Sequence, residues 1–237
     1  MTLTETTVGQ LVTERPARAR VFEKFGIDYC CGGKKPLAQA CGEKGLDPQA
    51  VLNELSVADQ QKNTSEKDWS HATLTELADA IEATHHAYLK EELPRLDFIT
   101  EKVARAHGGN HPEMLQVRQI FIDFKAELDS HMFKEEQILF PLCRRMEEAT
   151  EAFASHCGSI ANPIRVMVAE HEDAGNALEQ FRKLTHDYTP PADACNTFRA
   201  LLDSLRQIEV DMHQHVHKEN NILFPRAIEL EAKLHQQ

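Results

Sequence analysis

The chain has 237 residues, 41 % of them hydrophobic and 27 % charged, with a formal net charge of −12. That length can bury a substantial core as one large or two small domains. The acidic balance argues against a nucleic-acid backbone as partner, and no apolar run reaches the ~18 residues of a membrane span. In chain order, MTLTETTVGQ lacks the basic start and apolar stretch of a secretory signal. The expected setting is therefore the cytoplasm, with neither membrane nor nucleic acid as partner. Residues 1–55 then give short helical stretches punctuated by turns: VGQLVTE, ARARVFEKFG closed by Gly26, and PLAQACGEKG. Asp47 before Pro48 is an N-cap followed by proline at the first helical position, opening PQAVLNEL.

Residues 56–70 are polar and weakly periodic, and 56–72 is expected to be a linker. Thr73 and Glu76 form a T-x-x-E capping box that opens the second segment, 73–237. From there helical patterns cover 73–106, 113–147, 163–185 and 192–233, interrupted by HGGNHP, by a helix start at Asn162-Pro163 and by THDYTPP. Strand signals are absent. The expected fold is all-α: an antiparallel four-helix bundle behind a small helical N-terminal domain.

The bundle contains an internal repeat. HMFKEEQILFP starts at His131 and HVHKENNILFP at His215, 84 residues apart, and both read H-x-x-K-E-x-x-I-L-F-P. The apolar seam of the second helix runs Phe121, Phe124, Leu128, His131, Glu135, Ile138, Leu142. That of the fourth runs Leu205, Ile208, Met212, His215, Glu219, Ile222. The periodicity that marks the core face also puts a histidine and a glutamate on it. Residues four apart lie about 6 Å apart along a helix, so each pair can reach one ion or two neighbouring ones. Without a cation, two carboxylates in a dry core cost several kcal/mol each. The third helix adds His171, and the first adds His85 or His86, which spacing alone does not separate. Imidazole with carboxylate suits iron, manganese or zinc. Six side chains exceed one catalytic zinc but suit two metals, and iron supports redox and oxygen chemistry. His213 and His217 fall about 200° around the helix from His215 and read as solvated surface residues. Phe140-Pro141 and Phe224-Pro225 read as kinks near the bundle end.

Six cysteines scattered over the chain do not make a disulfide framework. Two of them are adjacent, in DYCCGGKK at 28–35. Neighbouring Cα atoms are too close for an unstrained disulfide, and one vicinal pair cannot close a zinc site. Gly32-Gly33 suggests a sharp, exposed turn. Lys34 and Lys35 are expected to favour thiolate at Cys30 and Cys31.

DYCCGGKK, EKDW at 66–69, SHMFKEEQILFP at 130–141, EHEDAG at 170–175 and HKENNILFPRA at 217–227 together resemble the iron–sulfur cluster repair di-iron family, the Repair of Iron Centers type. The resemblance spans essentially the full length. It implies a hemerythrin-like bundle holding two non-haem irons joined by an oxo bridge. His86, His131, His171 and His215 would be terminal ligands, with Glu135 and Glu219 bridging, and the resemblance favours His86 over His85. It implies restoration of iron–sulfur clusters damaged by nitric oxide or peroxide, so damaged iron–sulfur proteins are the expected partners and nitric oxide or O2 the small ligands. Cys30 and Cys31 become candidate redox or transfer thiols. Two rival activities stay open: reversible O2 or nitric oxide binding without turnover, and reduction of nitric oxide to nitrous oxide. The oligomeric state, a homodimer included, is also open.

Overall fold

The protein is described by a computed structural model covering residues 3–60, 69, 71–150 and 157–236. Among these residues every regular element is helical, and the single Thr7–Pro36 bridge makes no strand. The chain is all-α, a four-helix bundle with a small helical N-terminal domain. It divides into two compact units. The first is Met1–Asp79, Cys143–Ala161 and His213–Gln237; the second is Ala80–Leu142 and Asn162–Met212.

In the first unit, α1 (Val8–Glu14), α2 (Ala19–Phe25), α3 (Leu37–Glu43) and α4 (Pro48–Gln60) enclose Leu11, Phe22, Tyr29, Leu37, Val51 and Leu55. Gly26 ends α2 with a left-handed φ of 63°, a conformation glycine adopts without steric cost. Arg18 is buried and satisfied by a forked pair of bonds to Asp59, at 3.0 and 2.8 Å, and by donation to the Leu11 carbonyl. Asp59 belongs to α4, which runs on to Gln60, so 56–60 is helix rather than linker. The packing need of Arg18 accounts for that extension. Most of the remaining linker stretch, with EKDW up to its tryptophan, lies outside the described residues.

The bundle helices are α5 (74–107), α6 (113–148), α7 (161–184) and α8 (196–234). The capping box forms as expected: Thr73 N donates to Glu76 at 2.9 Å and Glu76 N to the Thr73 hydroxyl at 3.0 Å. A second carboxylate holds the same helix start, since Glu147 accepts from Leu74 N at 2.9 Å and Thr75 N at 3.1 Å. Glu231 does this for α7, accepting from Ile160 N at 2.7 Å and from the Ser159 hydroxyl at 2.6 Å. Glu147 and Glu231 are 84 residues apart, so the repeat extends past its Phe-Pro. Anionic side chains at helix N-termini meet unsatisfied amides and the positive end of the dipole.

In the second unit, Leu93, Leu96, Val103, Val117, Phe121, Phe124, Phe181, Leu201 and Leu205 form the centre of the bundle. Three bundle helices contain a π turn: Glu82–His86 in α5, Glu135–Leu139 in α6 and Glu219–Leu223 in α8. Phe140 N donates to Glu135 O and Phe224 N to Glu219 O, each five residues back. Pro141 and Pro225 follow at once. A proline ring in an α-helix clashes with the carbonyl four residues back, and the widened turn moves that carbonyl aside. The helices therefore continue through both prolines to Glu148 and Leu234 instead of ending there.

Candidate metal centre

The second unit gathers His86, His131, Glu135 and His171, all buried. His86 closes one π turn and Glu135 opens another. The same oxygen of Glu135, Oε2, lies 3.2 Å from His86 Nε2 and 3.3 Å from His131 Nε2. His171 Nε2 is 3.2 Å from His131 Nε2. The donor atoms of His131, Glu135 and His171 all lie within 4.8 Å of one another. Two ring nitrogens that both face one small space fit a shared cation, since one hydrogen bond leaves one lone pair facing a donor.

The outer ring nitrogens are held by carboxylates. His86 Nδ1 lies 2.8 Å from Glu136, itself anchored by Lys90, and His131 Nδ1 lies 2.9 Å from Glu170, anchored by Lys134. Hydrogen bonds from His131, opposed by burial and aided by Lys134, hold Glu170 down at about 2. Burial pushes Glu136 up, but Lys90 and His86 outweigh it, so it too sits below the ordinary carboxylate range. A carboxylate on Nδ1 fixes the tautomer and turns Nε2 inward, as around metal-bound imidazoles. Phe140 stacks on His86 at 5.7 Å and excludes water from that side.

The first unit holds His215 and Glu219, both fully buried, with His215 Nε2 3.0 Å from Glu219 Oε1. Glu219 opens its π turn as Glu135 does. The two adjacent histidines of α5 part ways: His86 meets Glu135, whereas His85 Nδ1 meets Asp211 at 2.7 Å.

Two seam expectations need correction. Ile138 is half out of the core and Leu139 fully in it, because the π turn adds one residue and shifts the buried face by one position. His217 is buried and His213 half-buried; their rings pack edge-on against Tyr29, at 5.5 and 6.0 Å. Burial pushes the His217 imidazole down to about 4. The N-terminal segment covers this face, which helical periodicity alone reads as solvent.

The Cys-Cys loop is built on that cover. Asp28 gathers the turn: Oδ1 accepts from the Cys30 and Cys31 amides at 2.9 and 3.0 Å, and Oδ2 from Gly32 N at 2.8 Å. Asn221 of α8 donates to Cys30 O at 3.0 Å. Neither Gly32 nor Gly33 has a positive φ. A Cβ on Gly33 would lie 2.3 Å from Asn221 Oδ1 and 2.7 Å from Tyr29 O, so close approach is what requires glycine. The expectation of thiolates fails at Cys30. The Cys31 sulfur, burial and Asp28 all push its thiol up, and it donates to Asp28 at 3.1 Å. Lys35 is engaged with Glu43 at 2.6 Å instead. The two sulfurs stand 4.0 Å apart, about twice a disulfide bond length.

This architecture, a helical domain with a Cys-Cys loop and a bundle with buried His/Glu donors, matches two known families. The family model described as "Hemerythrin HHE cation binding domain" matches residues 77–227. ScdA_N, described as "Domain of Unknown function (DUF542)", matches 4–59. The chain is similar to the iron-sulfur cluster repair protein YtfE of Citrobacter koseri, 38 % identical over 96 % of this chain and 99 % of that one. The Musicola paradisiaca protein of the same name is 39 % identical over 96 % and 98 %, and that of Escherichia coli O157:H7 is 38 % identical over 93 % and 96 %. The chain belongs to the family of these hemerythrin-domain iron–sulfur cluster repair proteins. No helix among the described residues is long and apolar enough to cross a membrane.

Proposed function

We propose that the protein repairs iron–sulfur clusters damaged by nitrosative and oxidative stress in the cytoplasm, through a centre of two non-haem irons. His86, His131, His171 and His215, with the carboxylates Glu135 and Glu219, would hold the irons. The observation that carries this reading is Glu135 Oε2 set between the Nε2 atoms of His86 and His131, a carboxylate shared by two imidazoles. The repeat makes Glu219 its counterpart. Bound there, the irons would supply one-electron chemistry, coordination of nitric oxide or O2, and iron that can be passed on.

The chain's own residues hold the donors in place. Glu136 and Glu170 keep each imidazole proton on Nδ1, and Phe140 and the apolar seam keep water out. The thiol domain runs from residue 1 to the end of α4 at Gln60, and the bundle spans 73–237, in keeping with the separate family matches to 4–59 and 77–227. Cys30, held protonated, and the more accessible Cys31 serve as transfer thiols. Damaged iron–sulfur proteins are the clients.

The test is anaerobic. The reduced, iron-loaded protein is given a nitrosylated iron–sulfur protein, and client activity, iron leaving the chain and nitrous oxide are followed together. Recovery of the client with loss of iron supports repair by donation. Nitrous oxide without recovery would replace it with a nitric oxide reductase, and one zinc per purified chain would overturn the iron assignment.

A further inference from the structure

The second unit carries another group of metal-binding side chains that plays no part in the iron chemistry. His107 and His111 flank the α5–α6 turn, and Asp193 and Cys195 belong to the segment that leads into α8. His107 Nε2 lies 3.1 Å from Cys195 Sγ. His111 Nε2 lies 3.1 and 3.2 Å from the two oxygens of Asp193. We propose that these four residues bind one divalent ion of the zinc class, separate from the iron ligands.

Two imidazoles, a thiolate and a carboxylate are a ligand set that zinc takes in tetrahedral sites. The two anions would neutralise the ion's charge, with the thiol proton and one imidazole proton released to water. Donors on one tetrahedral zinc stand roughly 3.5 Å apart, given bonds of about 2.0–2.3 Å. Each couple, His107 with Cys195 and His111 with Asp193, already has that spacing. The imidazole centroids are 6.3 Å apart, against roughly 5 Å on one tetrahedral ion. Closing the set requires the two couples to approach each other by more than about an ångström, and Cys195 and Asp193 are exposed, with room to rotate.

His111 is oriented as a zinc ligand would be. Its Nδ1 lies 2.9 Å from Glu113, which leaves Nε2 for the ion. The backbone is prepared as well. His111 N and Asn110 N both bond to His107 O, at 2.8 and 3.0 Å, fixing the two histidines in one turn. Gly108 permits that turn, since a Cβ there would lie 2.4 Å from Ala104 O. Both imidazoles rest on the buried ring of Phe198, at 5.2 and 5.4 Å. Ala194, between Asp193 and Cys195, is fixed by its amide on Pro191 O and its carbonyl on Arg199.

Cobalt(II) tests this on the full-length, iron-loaded chain, because thiolate ligation gives a sulfur-to-cobalt charge-transfer band that the iron ligands cannot produce. Titration is expected to give that band at one equivalent, displaced by zinc. The band should persist in Cys30→Ser/Cys31→Ser, vanish in Cys195→Ser, and weaken at least tenfold in affinity in His107→Ala and in His111→Ala. Zinc should also raise the melting temperature of the parent and not of Cys195→Ser. No band, a band that survives Cys195→Ser, or one that ignores both histidine substitutions would each overturn the site. The iron content of these variants is read in parallel, so a failure of the iron centre is recognised separately.

Discussion

The two copies of H-x-x-K-E-x-x-I-L-F-P share their inward residues and differ outward. In 131–141 and in 215–225 alike, the histidine and glutamate are buried and the glutamate opens a π turn. At the outward positions the first copy has Phe133, 64 % exposed, and exposed Gln137. The second has His217, buried against Tyr29, and Asn221, bonded to Cys30 O. One face of the repeat carries the candidate metal donors and duplicates faithfully. The other is set by whatever lies against it, and in the second copy that is the Cys-Cys loop.

The largest expected effects fall on the shared face. Glu135→Leu and Glu219→Leu should each abolish the proposed two-iron centre while helical content persists, since leucine packs where a carboxylate would otherwise need a cation. Metal analysis and circular dichroism read the two quantities. A variant that keeps two coupled irons would break the equivalence of the copies.

On the outward face the copies should respond differently. Gly33→Ala forces a methyl onto Asn221 and the Tyr29 carbonyl and should cost about 1–3 kcal/mol in urea unfolding. Asn221→Ala loses the amide bond to Cys30 O and should cost about 1 kcal/mol. Gln137→Ala, its counterpart, should stay within about 0.5 kcal/mol. Equal losses at 137 and 221 would remove the distinction.

The smallest effect tests how far the repeat extends. Burial raises Glu147, but hydrogen bonds from the Thr75 side chain and the Leu74 and Thr75 amides outweigh it and leave its folded pKa lowered. A lowered folded value means the stabilisation is present above the unfolded pKa, about 4.3, and is lost as pH falls through the folded one. Glu147→Gln should therefore cost about 0.5–1 kcal/mol at neutral pH. The gap to the parent should close in acid, as followed by thermal melts across pH. Glu231→Gln should also weaken the start of α7 at neutral pH, through its bonds to Ile160 N and the Ser159 hydroxyl.

The bundle was legible because four stretches repeat at helical spacing, and the same spacing put His131, Glu135, His171, His215 and Glu219 inward. His85 and His86 stayed unresolved because adjacent residues differ by only one step of rotation, and their partners, Asp211 and Glu135, lie far off in sequence. His217 and Asn221 were missed for a related reason. Periodicity identifies a face turned from the bundle axis but not a remote segment that covers it. The π turns of α6 and α8 had one available signal, a proline six residues after Glu135 and after Glu219 inside an otherwise helical run; the turn at Glu82–His86 has none. HGGNHP reads as a break, and its two histidines carry no periodic signal, because a turn shows itself in sequence through glycine and proline rather than through donor atoms.

The widened turns also govern which insertions and deletions the chain can survive. Each holds one residue more than a regular helix needs, and everything after it is phased to that surplus. Deleting Gln137 would remove that surplus and let α6 close as a regular helix, with the residues beyond it kept in phase because the widened turn already absorbs the extra one. Leu139, Phe140, Cys143 and Met146, all buried, would stay on the core face, and Glu147 would keep the amides of Leu74 and Thr75. The same deletion a few turns earlier or later in α6 would rotate one end of the helix against the other by about 100°, so the widened turn is the one place in the helix where the loss of a residue leaves the packing of the bundle end in register.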